Sequence, residues 1–371
     1  MNVTLHLTDQ CNLACRYCYV CQGENRMSSE VALAALKMAA HDTERAGIAF
    51  FGGEPLLCKD RICEVVEEAE RMELEDGCRF HFKMTTNGTL LDDDFLEYMG
   101  QKNIFIALSH DGVRIAHDKN RIYPDGKGSF GQLENLTQKL LQRQPYTPAM
   151  MTIAPNTVEY YAEGVEYLYN LGFRYLICSM DYSGNWTEKE LDVLQMQYRK
   201  LAKWYYALSM REKKFYFSPF EVKISSHIHQ GRYKQERCEL GIRQVSVAPD
   251  GRIYPCVQFV GDNDYCIGDV FSGIDEAKRQ KLYQINEEEP ESCRECALRM
   301  RCNHHCGCLN RQVTGSLREV APSLCAHERI VLPIADRLAE ALYKKRSALF
   351  IQKQYNDLFP VLSLLEDKLN Q

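Results

Sequence analysis

The 371-residue sequence has no apolar run approaching the roughly 20 residues that a bilayer-spanning helix needs. It has no basic excess either: 45 Lys and Arg stand against 51 Asp and Glu, for a formal net charge of −6. A nucleic-acid-binding surface is therefore not advertised. Low-complexity tracts and solenoid repeats are missing, and 45% hydrophobic with 26% charged residues excludes a disordered or fibrous chain. The first ten residues alternate polar and apolar and lack the apolar core of a signal peptide. These absences lead to the expectation of a cytoplasmic protein with neither a nucleic-acid nor a membrane partner. The length suggests about two to three domains.

What the sequence does have is cysteine. There are 17, an odd number, with no export signal. Thiols in the cytosol stay reduced, so a disulfide framework explains them poorly. Cysteines at short spacings in such a setting read as ligands of a metal or cluster.

The first half alternates strand-like and helix-like stretches. Strands are predicted at residues 3–7, 48–51, 80–85, 104–109, 149–153 and 175–178, each short, apolar and rich in β-formers. Helices are predicted at 29–43, 60–75, 92–101, 130–142 and 158–171, with Ser28 or Ser29 capping the first and Asp92 or Asp93 the third. The fold class expected from this alternation is α/β, a parallel sheet curled into a partial (β/α)6 TIM-like barrel. A long helix follows at 187–211, then a hairpin at 246–254 turning at Pro249-Asp250-Gly251, in a cysteine-dense region with few helices. From residue 328 the chain is helical again.

Directly after the first strand stands Cys11-Asn-Leu-Ala-Cys15-Arg-Tyr-Cys18. Three thiolates within eight residues can converge on one centre. A closed structural zinc site takes four protein ligands, and Cys21 is a candidate fourth. A cubane iron–sulfur cluster held by three cysteines instead keeps one iron open. Glycine-containing polar segments follow the next three strands: Gly52-Gly53-Glu54-Pro55, Thr85-Thr86-Asn87-Gly88 and Ser109-His110-Asp111-Gly112. In a parallel barrel these strand ends form one functional face.

This combination resembles the radical S-adenosylmethionine (radical SAM) enzymes over about residues 1–185. Their signature is a CxxxCxxC loop with an aromatic, here Tyr17, before the third cysteine, and the GGEP segment matches too. The resemblance implies that Cys11, Cys15 and Cys18 hold a 4Fe-4S cluster whose open iron chelates S-adenosylmethionine. Gly52, Gly53 and Glu54 would grip its amine, Ser109 and Asn87 would lie at the ribose, Arg121 would pair with the carboxylate, and Met180 would pack on the adenosine. One electron from the reduced cluster would then cleave S-adenosylmethionine to methionine and a 5′-deoxyadenosyl radical that abstracts hydrogen from substrate. A donor such as ferredoxin or flavodoxin would supply that electron.

A second array comprises Cys238, Cys256 at the end of Gly251-Arg-Ile-Tyr-Pro-Cys256, the block Cys293-x2-Cys296-x5-Cys302-x3-Cys306, and Cys325. Read alone, the block also admits a zinc ribbon, with His304 and His305 nearby. In order and spacing the array resembles the SPASM extension of radical SAM enzymes. That resemblance implies a first auxiliary 4Fe-4S cluster on Cys238, Cys256 and Cys306. A second would sit on Cys293, Cys296, Cys302 and Cys325, making three clusters in all. The expected domains are residues 1–185 (barrel), 186–232 (bridging helices), 233–330 (SPASM) and 331–371 (C-terminal helices).

Two departures shape the functional expectation. Some relatives, the anaerobic sulfatase-maturating enzymes among them, carry a further cysteine shortly before the first of the array, and residues 226–237 contain none. The first auxiliary cluster is thus expected to keep an open iron for a substrate thiolate, with Cys308 and Cys266 as competing ligands. Sulfatase-maturating enzymes also place an acidic base just after the cysteine matching Cys256, where this chain has Val257 and Gln258. Asp181 and Asp269 are the substitutes to consider. The expected function is therefore maturation of a ribosomally made, Cys-containing precursor peptide by a thioether or carbon–carbon crosslink. Formylglycine formation on a sulfatase is the alternative enzymatic reading, and a non-enzymatic iron–sulfur or zinc protein the alternative of another class. The triad begins at residue 11, so leader recognition is expected elsewhere or on a separate partner protein. Cys58, Cys63, Cys78 and Cys178 are expected to be buried thiols.

Overall fold

The computed structural model describes residues 2–41, 43–229 and 238–369. The expected boundary at 232/233 lies outside the described residues. Six parallel strands, β1 (Asn2–His6), β2 (Arg45–Phe51), β3 (Arg79–Thr86), β4 (Phe105–Ser109), β5 (Pro148–Ile153) and β6 (Tyr175–Met180), pair in chain order. All six coincide with predicted strands. Between them run α1 (Ser29–Ala40), α2 (Lys59–Asp76), α3 (Asp93–Gln101), α4 (Arg114–Asn120), α5 (Phe130–Arg143) and α6 (Tyr161–Leu171). This is the α/β partial barrel that the alternation predicts. On β1 four consecutive residues are buried, as a central strand covered on both faces requires.

Local signals explain the element ends. The Ser28 side chain accepts from Val31 N at 3.2 Å and starts α1. Asp92 does the same for Phe95 N at 2.8 Å and starts α3. One boundary differs: residues 155–160 form a 3-10 turn behind Pro155, so α6 starts three residues later than predicted. Proline at a first helical position favours such a tightened entry.

Beyond β6 come α7 (Glu188–Met210), the two-residue strand β7 (Tyr216–Phe217) and α8 (Ser218–Ile228). The hairpin β8 (Gln244–Val247) and β9 (Arg252–Tyr254) pairs Ser246 with Tyr254 around the predicted turn. Then β10 (Gly268–Asp269) and β11 (Gly273–Ile274) extend it antiparallel, followed by α9 (Glu276–Glu287), α10 (Gly307–Thr314), α11 (Pro322–Lys344), α12 (Ala348–Tyr355) and α13 (Phe359–Leu369). The sequence did not disclose how this region attaches. Strand β8 lies parallel to β1, Asn2 against Gln244, so barrel and cysteine-rich region share one sheet ordered β11-β10-β9-β8-β1-β2-β3-β4-β5-β6-β7. The turn between β8 and β9 therefore lies at the same end of the sheet as the loop after β1. No described helix is long and apolar enough to cross a membrane.

Candidate active site

The segment holding Cys11, Cys15 and Cys18 leaves the carboxyl end of β1 and is pinned on both sides. On one side, Gly53 N donates to Thr8 O and Glu54 N to Gln10 O, each at 2.8 Å. Only glycine permits that approach: a Cβ on Gly52, whose φ is +126°, would meet Thr8 O at 2.4 Å, and one on Gly53 would meet Gln10 O at 2.0 Å. On the other side, Ala14 N donates to Ile122 O at 2.7 Å and Arg16 N to Asn120 O at 3.0 Å. The Asn87 amide donates to Cys11 Sγ at 3.8 Å and to Asn12 Oδ1 at 2.9 Å.

Two of these thiols, Cys11 and Cys15, are hard to ionise where they stand. Burial first, then the charges of Glu54, Cys15 and Cys18, push the Cys11 thiol up to about 12. Burial pushes Cys15 up to about 11 against the opposing pull of Arg121. Thiols this reluctant to ionise together want a cationic centre between them, and binding one would release their protons. Cys11 and Cys15 are half-buried, and Cys18 and Cys21 are both exposed.

Glu54 is 1% exposed and accepts from Thr86 Oγ1 at 2.6 Å, Asn87 N at 2.8 Å and Leu56 N at 3.1 Å. A carboxylate offers about four lone-pair sites, so one remains for a ligand. Burial raises its carboxyl to about 7, against those hydrogen bonds.

Arg121 is not a solvated loop charge. It is buried and donates to Asp111 Oδ1 at 3.0 Å, and its guanidinium lies over the Tyr17 ring at 5.4 Å. Asp111 also accepts from the Tyr17 hydroxyl and from Thr152 N. Its place in the strand-end segment was visible in the sequence; its role as the hub for Tyr17 and Arg121 was not. The Arg121 Nε is buried without an acceptor among the described residues. Ser109 is half-buried at the end of β4, and Met180 belongs to the hydrophobic core at the end of β6. A cavity of about 390 Å³ opens beside Arg16 and Tyr17, bounded by Asp181 and Glu190. Another, of about 1380 Å³, lies by Tyr146 and Tyr175 at the opposite strand ends.

The second array divides in two. Cys256, Cys306 and Cys308 meet: the Cys306 and Cys308 sulfurs are 3.5 Å apart, and a hydrogen bond from Cys308 is the first cause that lowers the Cys256 thiol to about 7. Cys238 lies in reach of the Cys306 and Cys256 charges, with burial the main cause raising it to about 12. Cys266 instead donates to Gly268 O at 3.3 Å. In the other half, Arg329 Nε donates to Cys325 Sγ at 3.4 Å and senses Cys296 and Cys302. Burial raises Cys293, which feels Cys296 and Cys325. Cys293 also groups with Glu289 and His304, their ligand atoms all within 4.8 Å, so the histidine of the zinc alternative adjoins one thiol rather than the block.

Tyr19 stands between the arrays: desolvation of its hydroxyl, then Cys256, Cys18 and Cys308, push its phenol up. Neither it nor the buried Lys223–Glu328 pair (2.7 Å) beside Cys302 was foreseen. Cys58 and Cys78 are buried as expected, whereas Cys63 and Cys178 are only half-buried.

The sequence model of the radical SAM superfamily matches residues 5–196, spanning the end of β1, the triad and strands β2 to β6. This chain belongs to the radical SAM superfamily. Residues 238–297 match the SPASM iron–sulfur cluster-binding domain. The chain is 22% identical over 333 residues to a cysteine-type anaerobic sulfatase-maturating enzyme of Clostridium perfringens, covering 80% of this chain and 85% of that protein. It is 24% identical over 261 residues to the sporulation killing factor maturation protein SkfB of Bacillus subtilis, covering 69% and 60%. Among solved structures, anSMEcpe with bound AdoMet and Cp18Cys peptide superposes with a TM-score of 0.78 at 19% identity, over 92% of this chain and 98% of that one. Streptococcus suis SuiB bound to the precursor peptide SuiA gives 0.61 at 16% identity, over 87% and 75%. These likenesses establish the fold. The radical SAM and SPASM matches make this an enzyme that binds S-adenosylmethionine and iron–sulfur clusters, and the donor sets fit: convergent thiols, a carboxylate with a site to spare, and a buried guanidinium nitrogen lacking an acceptor.

Proposed function

We propose that this radical SAM enzyme is a peptide maturase, acting on a ribosomally made, Cys-containing precursor to form a thioether or carbon–carbon crosslink with loss of two hydrogens. The chief support is the pair of residues after Cys256. Val257 and Gln258 cannot take a proton at neutral pH. Asp181 accepts from Ser183 N, Ser183 Oγ and Gly184 N, and Asp269 accepts from Phe271 N, so both substitutes are bound into turns. Formylglycine formation, the second reading, is favoured by the likeness to the Clostridium perfringens enzymes, but the position directly after Cys256, where those enzymes place an acidic base, holds Val257 here.

In this reading the chain is organised as barrel (1–185), bridging helices (186–232), SPASM region (233–330) and C-terminal helices (331–371). Cys11, Cys15 and Cys18 hold one of three 4Fe-4S clusters, which with S-adenosylmethionine supplies the one-electron chemistry that generates a hydrogen-abstracting radical. Gly52 and Gly53 bring the backbone under the thiol loop, and Glu54 offers its remaining lone pair to the ammonium. Arg121 offers Nε to the carboxylate while Asp111 fixes its plane, and Asn87 and Ser109 border the ribose. Cys293, Cys296, Cys302 and Cys325 hold one auxiliary cluster; Cys238, Cys256 and Cys306 hold the other. A ferredoxin or flavodoxin donates electrons, and the setting is the cytoplasm.

The test is co-expression with any short peptide found encoded beside the gene, followed by mass spectrometry and anaerobic assay with dithionite and S-adenosylmethionine. The expected result is 5′-deoxyadenosine together with a peptide lighter by two hydrogens per event. Nucleoside formation with modification of a sulfatase peptide alone would favour the second reading. No nucleoside from the reduced, cluster-loaded enzyme would refute both.

A further inference from the structure

We infer that Cys308 is the fourth thiolate of the first auxiliary cluster, completing the set of Cys238, Cys256 and Cys306; the inference rests on the SPASM reading of the second array. In a regular helix residues two apart do not face each other. Here Cys306 is the N-cap of α10, with φ −74° and ψ 84°, outside the helical region. That departure swings its side chain round until its sulfur lies 3.5 Å from that of Cys308, in the helix's first turn. Gly307 between them passes so close to Asn286 that a Cβ would meet Oδ1 at 2.1 Å. Cys308 is 7% exposed, its sulfur meets that of Cys306, and Cys256 lies close enough to interact with both. Cys256 follows β9, which the β8–β1 pairing joins to the sheet of the barrel, and it opens the 3-10 turn Val257–Phe259. The competitor Cys266 spends its thiol on Gly268 O.

The consequence reverses the sequence-based expectation of an open iron. With four protein thiolates the auxiliary site has no corner for a substrate sulfur. Its service to the reaction is then to take up electrons rather than to hold substrate.

The experiment uses full-length protein with Cys11, Cys15 and Cys18 replaced by alanine, leaving about eight auxiliary irons. Iron content and the electron paramagnetic resonance spectrum of the dithionite-reduced protein are recorded before and after adding 2-mercaptoethanol. The parent and a Cys266→Ala derivative are expected to ignore the added thiol. Cys308→Ser should keep its iron with shifted g values, because an alkoxide replaces a thiolate. Cys308→Ala should either lose about half the iron or respond to 2-mercaptoethanol. A Cys308→Ser spectrum superimposable on the parent, or a parent that responds to the thiol, overturns the assignment while leaving the SPASM reading intact. A parent without auxiliary iron sinks both.

Discussion

Replacing Asp111 by alanine tests how the thiol loop is held. The Asp111 and Arg121 side chains are 3% and 9% exposed and their ion pair measures 3.0 Å. Removing one partner of such a buried pair costs about 3–5 kcal/mol, because the other charge is left uncompensated. The Tyr17 hydroxyl and Thr152 N lose their acceptor as well, which places the expected cost at the upper end of that range. The double variant Asp111→Asn/Arg121→Gln keeps the shape and leaves no stranded charge, so its cost is expected to fall well short of the summed single changes, with a coupling of about 2 kcal/mol or more. Anaerobic urea unfolding of the four proteins, read as midpoint and slope, gives the cycle. Because Ala14 and Arg16 hang on the backbone flanking Arg121, Asp111→Ala is also expected to lower iron retention at the triad and spare auxiliary iron. A cost below about 1 kcal/mol, the worth of an exposed pair, would refute the reasoning.

The same geometry sets further outcomes. Wild-type protein is expected to bind about twelve irons, and replacing Cys11, Cys15 and Cys18 with alanine to leave the auxiliary share while abolishing 5′-deoxyadenosine, as iron analysis and chromatography would show; an iron count near four with bound zinc would contradict the cluster assignment. Glu54 carries a folded-state value of about 7, above that of an unfolded glutamate. The native state therefore binds more protons between about pH 4.5 and 7, so this group's contribution is full below that window and lost as pH rises through it. Relative to Glu54→Gln, the wild type should lose a few kcal/mol across the window, and parallel pH profiles of unfolding would contradict this. Lys223→Met strands the buried Glu328 beside Cys302 and should cost about 3–5 kcal/mol, whereas Lys223→Met/Glu328→Gln should cost much less; equal losses in urea unfolding would count against the pairing.

The sequence disclosed a good deal of this. Period and capping located all six parallel strands and the starts of α1 and α3, since Ser28 and Asp92 act within their own helices. The hairpin at residues 246–254 was legible from Pro249-Asp250-Gly251, because a turn is a local event. The two-residue β7 was not, having no pattern long enough to register. Among candidate site residues, the triad stood out by its spacing and the GGEP segment by its place after a strand and its likeness to the family motif. Asp111 was passed over because an Asp-Gly pair reads as an ordinary turn until Arg121 and Tyr17 are seen to converge on it.

By itself, then, the sequence determined what is written in neighbouring residues: the β–α alternation, the three-thiol loop, the two glycines that let the backbone run beneath it, and the cysteine block from Cys293 to Cys306. The tertiary structure decided what depends on residues far apart in the chain. It set β8 against β1, buried Arg121 on Asp111, placed Tyr19 between the two thiol arrays, and gathered Cys308 to Cys256 across about fifty residues. The reason is physical: short-range patterns record hydrogen bonds and periodicities within an element, while the pairing of strand edges and buried charges is settled only when the whole core packs.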